Sequence, residues 1–182
     1  MKTINGLIVK EAIKWVGTKE LINNKKFNKK GFYQFLSNAE WDEGQAYCMY
    51  FAESVWRNAY IKAGYSTIAA QLEPILTPSA IKSLSNAGTM WKPGISGTPQ
   101  VGSIAIWRWY ENGEPTWKGH AAIVEKINLS NNRIFTIEGN TGNPNQRTGD
   151  GVYRKDRSLL MTSKKRGLVL QSFIIPFQIE VL

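Results

Sequence analysis

Residues 41–52 read Trp-Asp-Glu-Gly-Gln-Ala-Tyr-Cys-Met-Tyr-Phe-Ala and hold the single cysteine of the 182-residue chain, Cys48. Neither Gly nor Pro occurs from residue 46 to residue 63, and apolar side chains recur there at four-residue steps. These positions are Tyr47, Phe51, Val55, Ala59 and Ala63. Such spacing is typical of one helix face, so the sequence predicts a helix over 46–63 between Gly44 and Gly64.

The predicted helix puts Cys48 in its first turn. Backbone N–H groups of a first turn lack partners within the helix, and the positive end of the macrodipole lies there, so both favour a thiolate. A thiolate is the nucleophilic form of cysteine. The competing interpretation is that Cys48 is a small buried apolar residue, because most lone cysteines behave in that way.

The chain also has a single histidine, His120, and the segment Ile-Glu-Gly-Asn-Thr at 137–141 follows it. A cysteine, a histidine far downstream and then an Asn or Glu is the order of nucleophile, base and orienting group in papain-like enzymes. This order favours Cys48 as a nucleophile, His120 as its base, and Glu138 or Asn140 as the orienting group.

Three segments of the chain resemble motifs of one family. Residues 47–51 are similar to an aromatic-Cys-x-x-Phe nucleophile helix, residues 119–124 to a Gly-His-x-x-Ile-Val strand, and residues 137–141 to a Glu-Gly-Asn strand end. The family is that of the CHAP domains (cysteine, histidine-dependent amidohydrolases/peptidases), relatives of the NlpC/P60 cell-wall hydrolases.

A fourth segment, residues 99–107, resembles the Pro-x-x-Gly-Asp-Ile strand that precedes the histidine in the family. Ser103 stands where the family commonly has Asp, which is a departure at a position without a catalytic role. The resemblance extends from about Ala12 to Arg157, and four motifs in the right order are far more specific than any one of them.

The resemblance implies a thiol hydrolase of amide bonds whose substrate is peptidoglycan. Cys48 would attack the carbonyl, and His120 would take and return the proton. Glu138 is the first choice for holding the imidazole because a carboxylate also stabilises imidazolium, with Asn140 second or acting jointly. The backbone N–H of Cys48 would help to bind the oxyanion, together with Gln45 as a weaker candidate.

The order of predicted elements indicates an α+β fold, papain-like, with N-terminal helices packed on an antiparallel sheet. We expect one CHAP-like domain over 1–182. Helices are predicted at 4–16, 31–36, 46–63 and 78–87, the last with Thr77 as N-cap. Strands are predicted at 103–110, 117–127, 133–138, 151–157 and 168–179. Residues 18–30 and 94–102 are predicted as loops.

Alternation along a strand assigns side chains to its two faces. It places His120, Ala122 and Val124 on one face of their strand, and it places Glu138 and Asn140 together on one face of theirs. Small Ala122 beside His120 is predicted to leave room for the nucleophile helix.

Lys and Arg outnumber Asp and Glu by 23 to 14, a formal net charge of +9. This charge favours anionic partners, among them a polyanionic cell wall, anionic lipid and nucleic acid. The basic clusters at 25–30 and 164–166 are interpreted as solvated surface, and no nucleic-acid motif accompanies them, so no nucleic-acid partner is expected. The alternative function is a non-catalytic module on a CHAP-like scaffold that binds the cell wall or nucleic acid.

One cysteine cannot form an intramolecular disulfide, and no metal-ligand spacing is visible, so no metal and no cofactor are expected. The N-terminus lacks the apolar core of a signal peptide, and no segment is apolar enough to span a membrane. We therefore expect synthesis in the cytoplasm and action at the cell wall or periplasm, either after phage-mediated release or as an exported antibacterial effector. An effector would have an immunity or inhibitor protein as a partner.

Overall fold

A computed structural model describes residues 2–142, 149–160 and 165–181. Five α-helices are present in these ranges: α1 (Ile4–Ile13), α2 (Phe32–Ser37), α3 (Cys48–Lys62), α4 (Ser66–Ala70) and α5 (Ala80–Met90). A 3₁₀ turn follows at Leu129–Asn131. None of the helices within these ranges is long and apolar enough to cross a membrane.

The strands of the described residues fall into one large sheet and two small ones. The small sheets pair β1 (Lys2–Thr3) with β10 (Glu180–Val181), and β2 (Glu20–Ile22) with β3 (Lys26–Phe27). The large sheet contains β4 (Ile95–Ser96), β5 (Ile104–Glu111), β6 (Glu114–Asn128), β7 (Arg133–Thr141), β8 (Gly151–Ser158) and β9 (Arg166–Ile174).

All neighbours in the six-stranded sheet are antiparallel, in the order β4-β9-β5-β6-β7-β8. Strands β5 to β8 form a meander, while β9 returns across the sheet to pair with β5. The α+β fold class is therefore confirmed. Strand β9 ends at Ile174, well before the predicted end at Ile179.

Several predicted boundaries are corrected by the structure. The loop predicted over 18–30 contains the β2–β3 hairpin, and the 94–102 loop contains the short edge strand β4. Helix α5 begins two residues later than predicted, because the hydroxyl of Ser79 rather than that of Thr77 caps it by accepting the backbone N–H of Lys82 at 3.3 Å. Lys164 of the basic 164–166 cluster lies outside the described residues.

Helix α3 lies at the centre of the larger apolar core. Gly64, with a φ of 86°, follows its last turn, which confirms the predicted helix end. The helix packs against β6 and β7. A Cβ at Gly139 would lie only 2.7 Å from the Cβ of Phe51, so the glycine permits this close approach.

The two faces of the sheet carry different cores. Ala121 and Ile123 face the helices, whereas Ala122 and Val124 pack on the opposite face in a second apolar cluster with Trp107. The prediction that Ala122 makes room for the nucleophile helix is therefore wrong. Alternation had separated the faces correctly, but it cannot indicate which face receives a helix.

Candidate active site

Cys48 is the first residue of α3, and its side chain is buried, with 8% of the residue exposed. The backbone N–H groups of Met49 and Ala121 both donate to its sulfur. Burial alone raises the pKa of this thiol, but the neighbouring His120 and these two N–H groups outweigh burial, and the net pKa lies below its ordinary value of 9.0.

The sulfur reaches Ala121 because β6 and β7 diverge at that level. Their pairing extends from Asn128 opposite Arg133 only as far as Ile123 opposite Ile137. Beyond this point, the N-terminus of α3 bonds to both strands, through Cys48 to β6 and through Tyr47 to β7. The start of α3 thus takes the place that a strand partner would occupy.

His120 lies between Cys48 and Glu138. Its Nε2 is 2.8 Å from Oε2 of Glu138, and the imidazole also hydrogen-bonds with the thiol, for which Nδ1 is the remaining ring nitrogen. Burial lowers the pKa of His120, but the charge of Glu138 and the bonds to both neighbours raise it to about 9. The imidazole ring lies 6.1 Å from the ring of Trp107. The lowered pKa of the thiol and the raised pKa of the imidazole both favour a thiolate beside an imidazolium.

Glu138 is fully buried, and the side chains of His120, Arg157 and Thr136 all hydrogen-bond to its carboxylate. Arg157 donates Nε to Oε1 at 2.8 Å and a terminal nitrogen to Oε2 at 2.6 Å, while Thr136 donates its hydroxyl to Oε1 at 2.7 Å. Burial alone raises the pKa of Glu138, yet Arg157 and His120 hold it well below its usual range. The carboxylate therefore stays ionised while it faces His120.

Arg157 was missed as a site residue by the sequence analysis. Its guanidinium lies 5.6 Å from the ring centre of Trp107, and its side chain is 28% exposed. A buried carboxylate stays ionised only beside a cation, so an ionised Glu138 implies an Arg or Lys next to it. The choice of Arg157 depends on the placement of β8 next to β7, which no local pattern in the sequence reports.

Asn140 lines the cleft beside His120, but its backbone conformation differs from that of a regular strand residue. Its φ is 52°, so the chain leaves the extended conformation there and the predicted alternation stops. Its backbone N–H bonds to the hydroxyl of Tyr47, which in turn donates to Oε1 of Glu20 at 3.0 Å. Among the described hydrogen bonds, the partner of His120 on β7 is Glu138.

Gln45 is exposed and folds back on its own loop, where its Oε1 accepts the backbone N–H of Asp42 at 3.2 Å. Its contribution to an oxyanion site stays a prediction. A cleft of about 350 Å³ opens beside the histidine. Its lining includes Gly119, His120, Asn140, Thr141, Gly142, Gly149, Lys155, Arg157 and Leu168.

The fold and the site together define a papain-like α+β protein in which a partly buried histidine lies in hydrogen-bond contact with a buried cysteine and a buried glutamate. The CHAP domain family model matches residues 40–140, more than half of the chain. The chain belongs to the CHAP domain family. Members of this family are generally hydrolases, amidases or peptidases, that act on peptidoglycan. Comparisons with curated proteins and with solved structures gave no significant match.

Proposed function

We propose that the protein is a cysteine amidohydrolase or peptidase that cleaves an amide bond of peptidoglycan. The observation that carries this proposal is the continuous contact from Cys48 through His120 to Glu138 at the start of α3. The family assignment supports the substrate class, because CHAP domains act on peptidoglycan.

In the proposed reaction, the Cys48 thiolate attacks the carbonyl carbon of the scissile amide and forms a tetrahedral oxyanion. The imidazolium of His120 then gives its proton to the departing amine, which leaves a thioester on Cys48. Water attacks the thioester while His120 takes up one of its protons. The acid product is released, and the Cys48 thiolate beside the His120 imidazolium is restored.

Two groups assist these steps. The backbone N–H of Cys48 belongs to the first turn of α3, where N–H groups lack helical partners, so it can donate to the oxyanion. Glu138 stabilises the imidazolium and fixes the ring so that Nδ1 faces the sulfur. It stays ionised because Arg157 keeps its pKa low.

The proposal includes action at the cell wall, by a phage lysin or by an exported antibacterial effector that has an immunity protein as partner. The net charge of +9 supports attraction to a wall that carries anionic polymers. Sedimentation with whole walls should weaken as salt rises, since surface charges are screened over roughly 8 to 10 Å near physiological ionic strength.

The test is digestion of purified peptidoglycan by wild type, Cys48→Ala and His120→Ala, with mass spectrometry of the released fragments. Wild type should release fragments with new amino and carboxyl ends, and both variants should lose several orders of magnitude in turnover while they keep their circular dichroism spectrum. Wild-type turnover by Cys48→Ala would exclude the thiol mechanism.

The alternative is a binding module in which the thiol is incidental. It predicts that Cys48 reacts with iodoacetamide no faster than a free thiol at neutral pH, whereas the hydrolase predicts faster reaction.

A further inference from the structure

Lys155 is a half-buried cation in the cleft beside His120. It lies on β8 opposite Thr136, on the same sheet face as Glu138 and Arg157. Within residues 2–142, 149–160 and 165–181, no carboxylate lies within 4.0 Å of its ammonium group. Lys155 thus lines the cleft as a cation that has no carboxylate partner among the described residues.

The arginines around Lys155 differ from it because each has a carboxylate partner. Arg154 bonds both oxygens of Glu125 at 2.8 to 3.0 Å, and Arg157 bonds both oxygens of Glu138. These cations therefore have structural partners in the sheet. Lys155 has none among the described residues, so ion pairing within the fold does not account for its place.

Charged residues near Lys155 influence its pKa, but none of the described carboxylates forms an ion pair with it. Partial burial lowers the pKa of Lys155 below 10.5, and it outweighs the charge of Glu138, which raises this pKa; Arg157 lowers it further and Asp150 raises it. Glu138 is already bonded to Arg157 and His120. The cleft thus presents an ammonium group whose burial cost is offset best by an incoming anion.

The shape of the cleft indicates an extended ligand. Arg157 and Leu168 line both the 350 Å³ cleft and a neighbouring groove of about 560 Å³, whose walls include Trp107 and Trp109. A peptide fits this surface, because its backbone is polar and its side chains can contact the apolar walls.

We propose that Lys155 binds a carboxylate of the peptide substrate and gives the enzyme a preference for peptides with a free carboxylate close to the scissile amide. The inference rests on the proposed function, which it deepens by assigning a substrate class. Lys155 acts in binding and takes no part in bond cleavage. Its loss should therefore raise KM for the acidic substrate and leave kcat nearly unchanged.

The test uses two synthetic peptides that are identical except that one carries a carboxylate next to the scissile amide and the other a primary amide. We expect wild type to favour the carboxylate peptide about tenfold in kcat/KM, the ratio that one charge-assisted hydrogen bond supplies. Lys155→Gln should reduce this ratio to about one, and Lys155→Arg should keep it, since the cation is retained.

Lys126→Gln is the matched control. It removes the same charge from the same sheet. Lys126 is exposed and lies over Phe135; it lines a second groove together with Lys155, but it does not line the cleft beside His120. Its ratio should equal that of wild type. A preference that survives in Lys155→Gln, or an equal loss in Lys126→Gln, would overturn the proposal.

Binding separates this inference from the proposed function. In a Cys48→Ala background, calorimetry should show tighter binding of the carboxylate peptide than of its amide, and the added Lys155→Gln change should abolish the difference. If wild type cleaves neither peptide nor peptidoglycan, the proposed function fails, and the calorimetric comparison still decides the role of Lys155. Equal affinity for both peptides in Cys48→Ala would refute that role.

Discussion

Glu53 and Glu138 are both buried, with exposed fractions of 5% and 0%, yet their pKa values are shifted in opposite directions. Glu138 is bonded by Arg157, His120 and Thr136, and its pKa is lowered well below the usual range. Burial raises the pKa of Glu53 to about 8, and Arg57, its ionic partner among the described residues, is 3.4 Å away and opposes this shift only in part.

Burial alone therefore does not decide whether a carboxyl group is ionised and can take part in a reaction. Glu53 lines a cavity of about 210 Å³ with Glu40 and Glu73, whose charges oppose its ionisation further. It therefore binds a proton near neutral pH. Glu138 has enough hydrogen-bond donors to remain charged although it is buried, and so it can hold His120 as imidazolium.

The largest effect should follow from Glu138→Gln, which removes the charge but keeps the shape. We expect kcat/KM on peptidoglycan fragments to fall by about 1000-fold, since the amide cannot stabilise the imidazolium. Turnover equal to wild type would assign the orienting role to another residue.

The pH profile of Glu138→Gln separates this electrostatic role from damage to the fold. Glu138 is the main group that raises the pKa of His120 to about 9, so the alkaline limb of the wild-type profile should lie near that pH. In the variant, the limb should move to lower pH. An unmoved limb with reduced amplitude would contradict the electrostatic account.

Arg157→Met tests the cation that keeps Glu138 charged. Loss of one partner of a buried ion pair should lower the free energy of unfolding by about 3 kcal/mol at pH 7, measured with denaturant. The lowered pKa of Glu138 contributes stability that is present above pH 4.5 and lost as the pH falls, so the deficit should narrow in acid.

Arg154→Met is the control on the same strand, because Arg154 pairs with Glu125 at the surface and its side chain is 49% exposed. It should cost less than about 1 kcal/mol. Equal costs for Arg154→Met and Arg157→Met would remove the special place of the buried pair.

Glu53→Gln should raise the free energy of unfolding at alkaline pH, whereas Arg157→Met lowers it. The raised pKa of Glu53 gives stability that is full below its ordinary pKa of 4.5 and is lost as the pH rises through about 8. The variant lacks this loss, so it should be more stable than wild type by about 1 kcal/mol at pH 9, with unchanged activity. Denaturant unfolding at pH 5 and pH 9 measures both values, and a constant difference between them would contradict the raised pKa.

The smallest effect should come from Asn140. Asn140→Ala is expected to reduce kcat/KM only a few-fold, because His120 bonds to Glu138 instead. Asn140→Gly is the control, since glycine adopts the positive φ at this position without strain. A loss in both variants as large as in Glu138→Gln would show that the two residues orient the imidazole jointly.

The fold class and the order of the site residues could be predicted because residue spacing and motif order along the chain indicate them. Four-residue spacing fixed the helix behind Cys48, and alternation separated the faces at His120. The sequence ranked Glu138 ahead of Asn140 only because a carboxylate can stabilise imidazolium, since a strand pattern does not show the positive φ of Asn140. The role of Arg157 depends on the pairing of β7 with β8. The face of the sheet that packs against α3 depends on the contact between Gly139 and Phe51. These are tertiary contacts without a local signal.

The proposed mechanism requires that Cys48 and His120 form an ion pair, a thiolate beside an imidazolium. Ultraviolet absorbance of the thiolate, followed against pH in wild type and in His120→Ala, measures it directly. Wild type should titrate below the ordinary 9.0, and removal of His120 should raise the apparent pKa, with any remaining depression due to the N–H groups of Met49 and Ala121. Identical titrations of both proteins at the value of a free thiol would contradict the account.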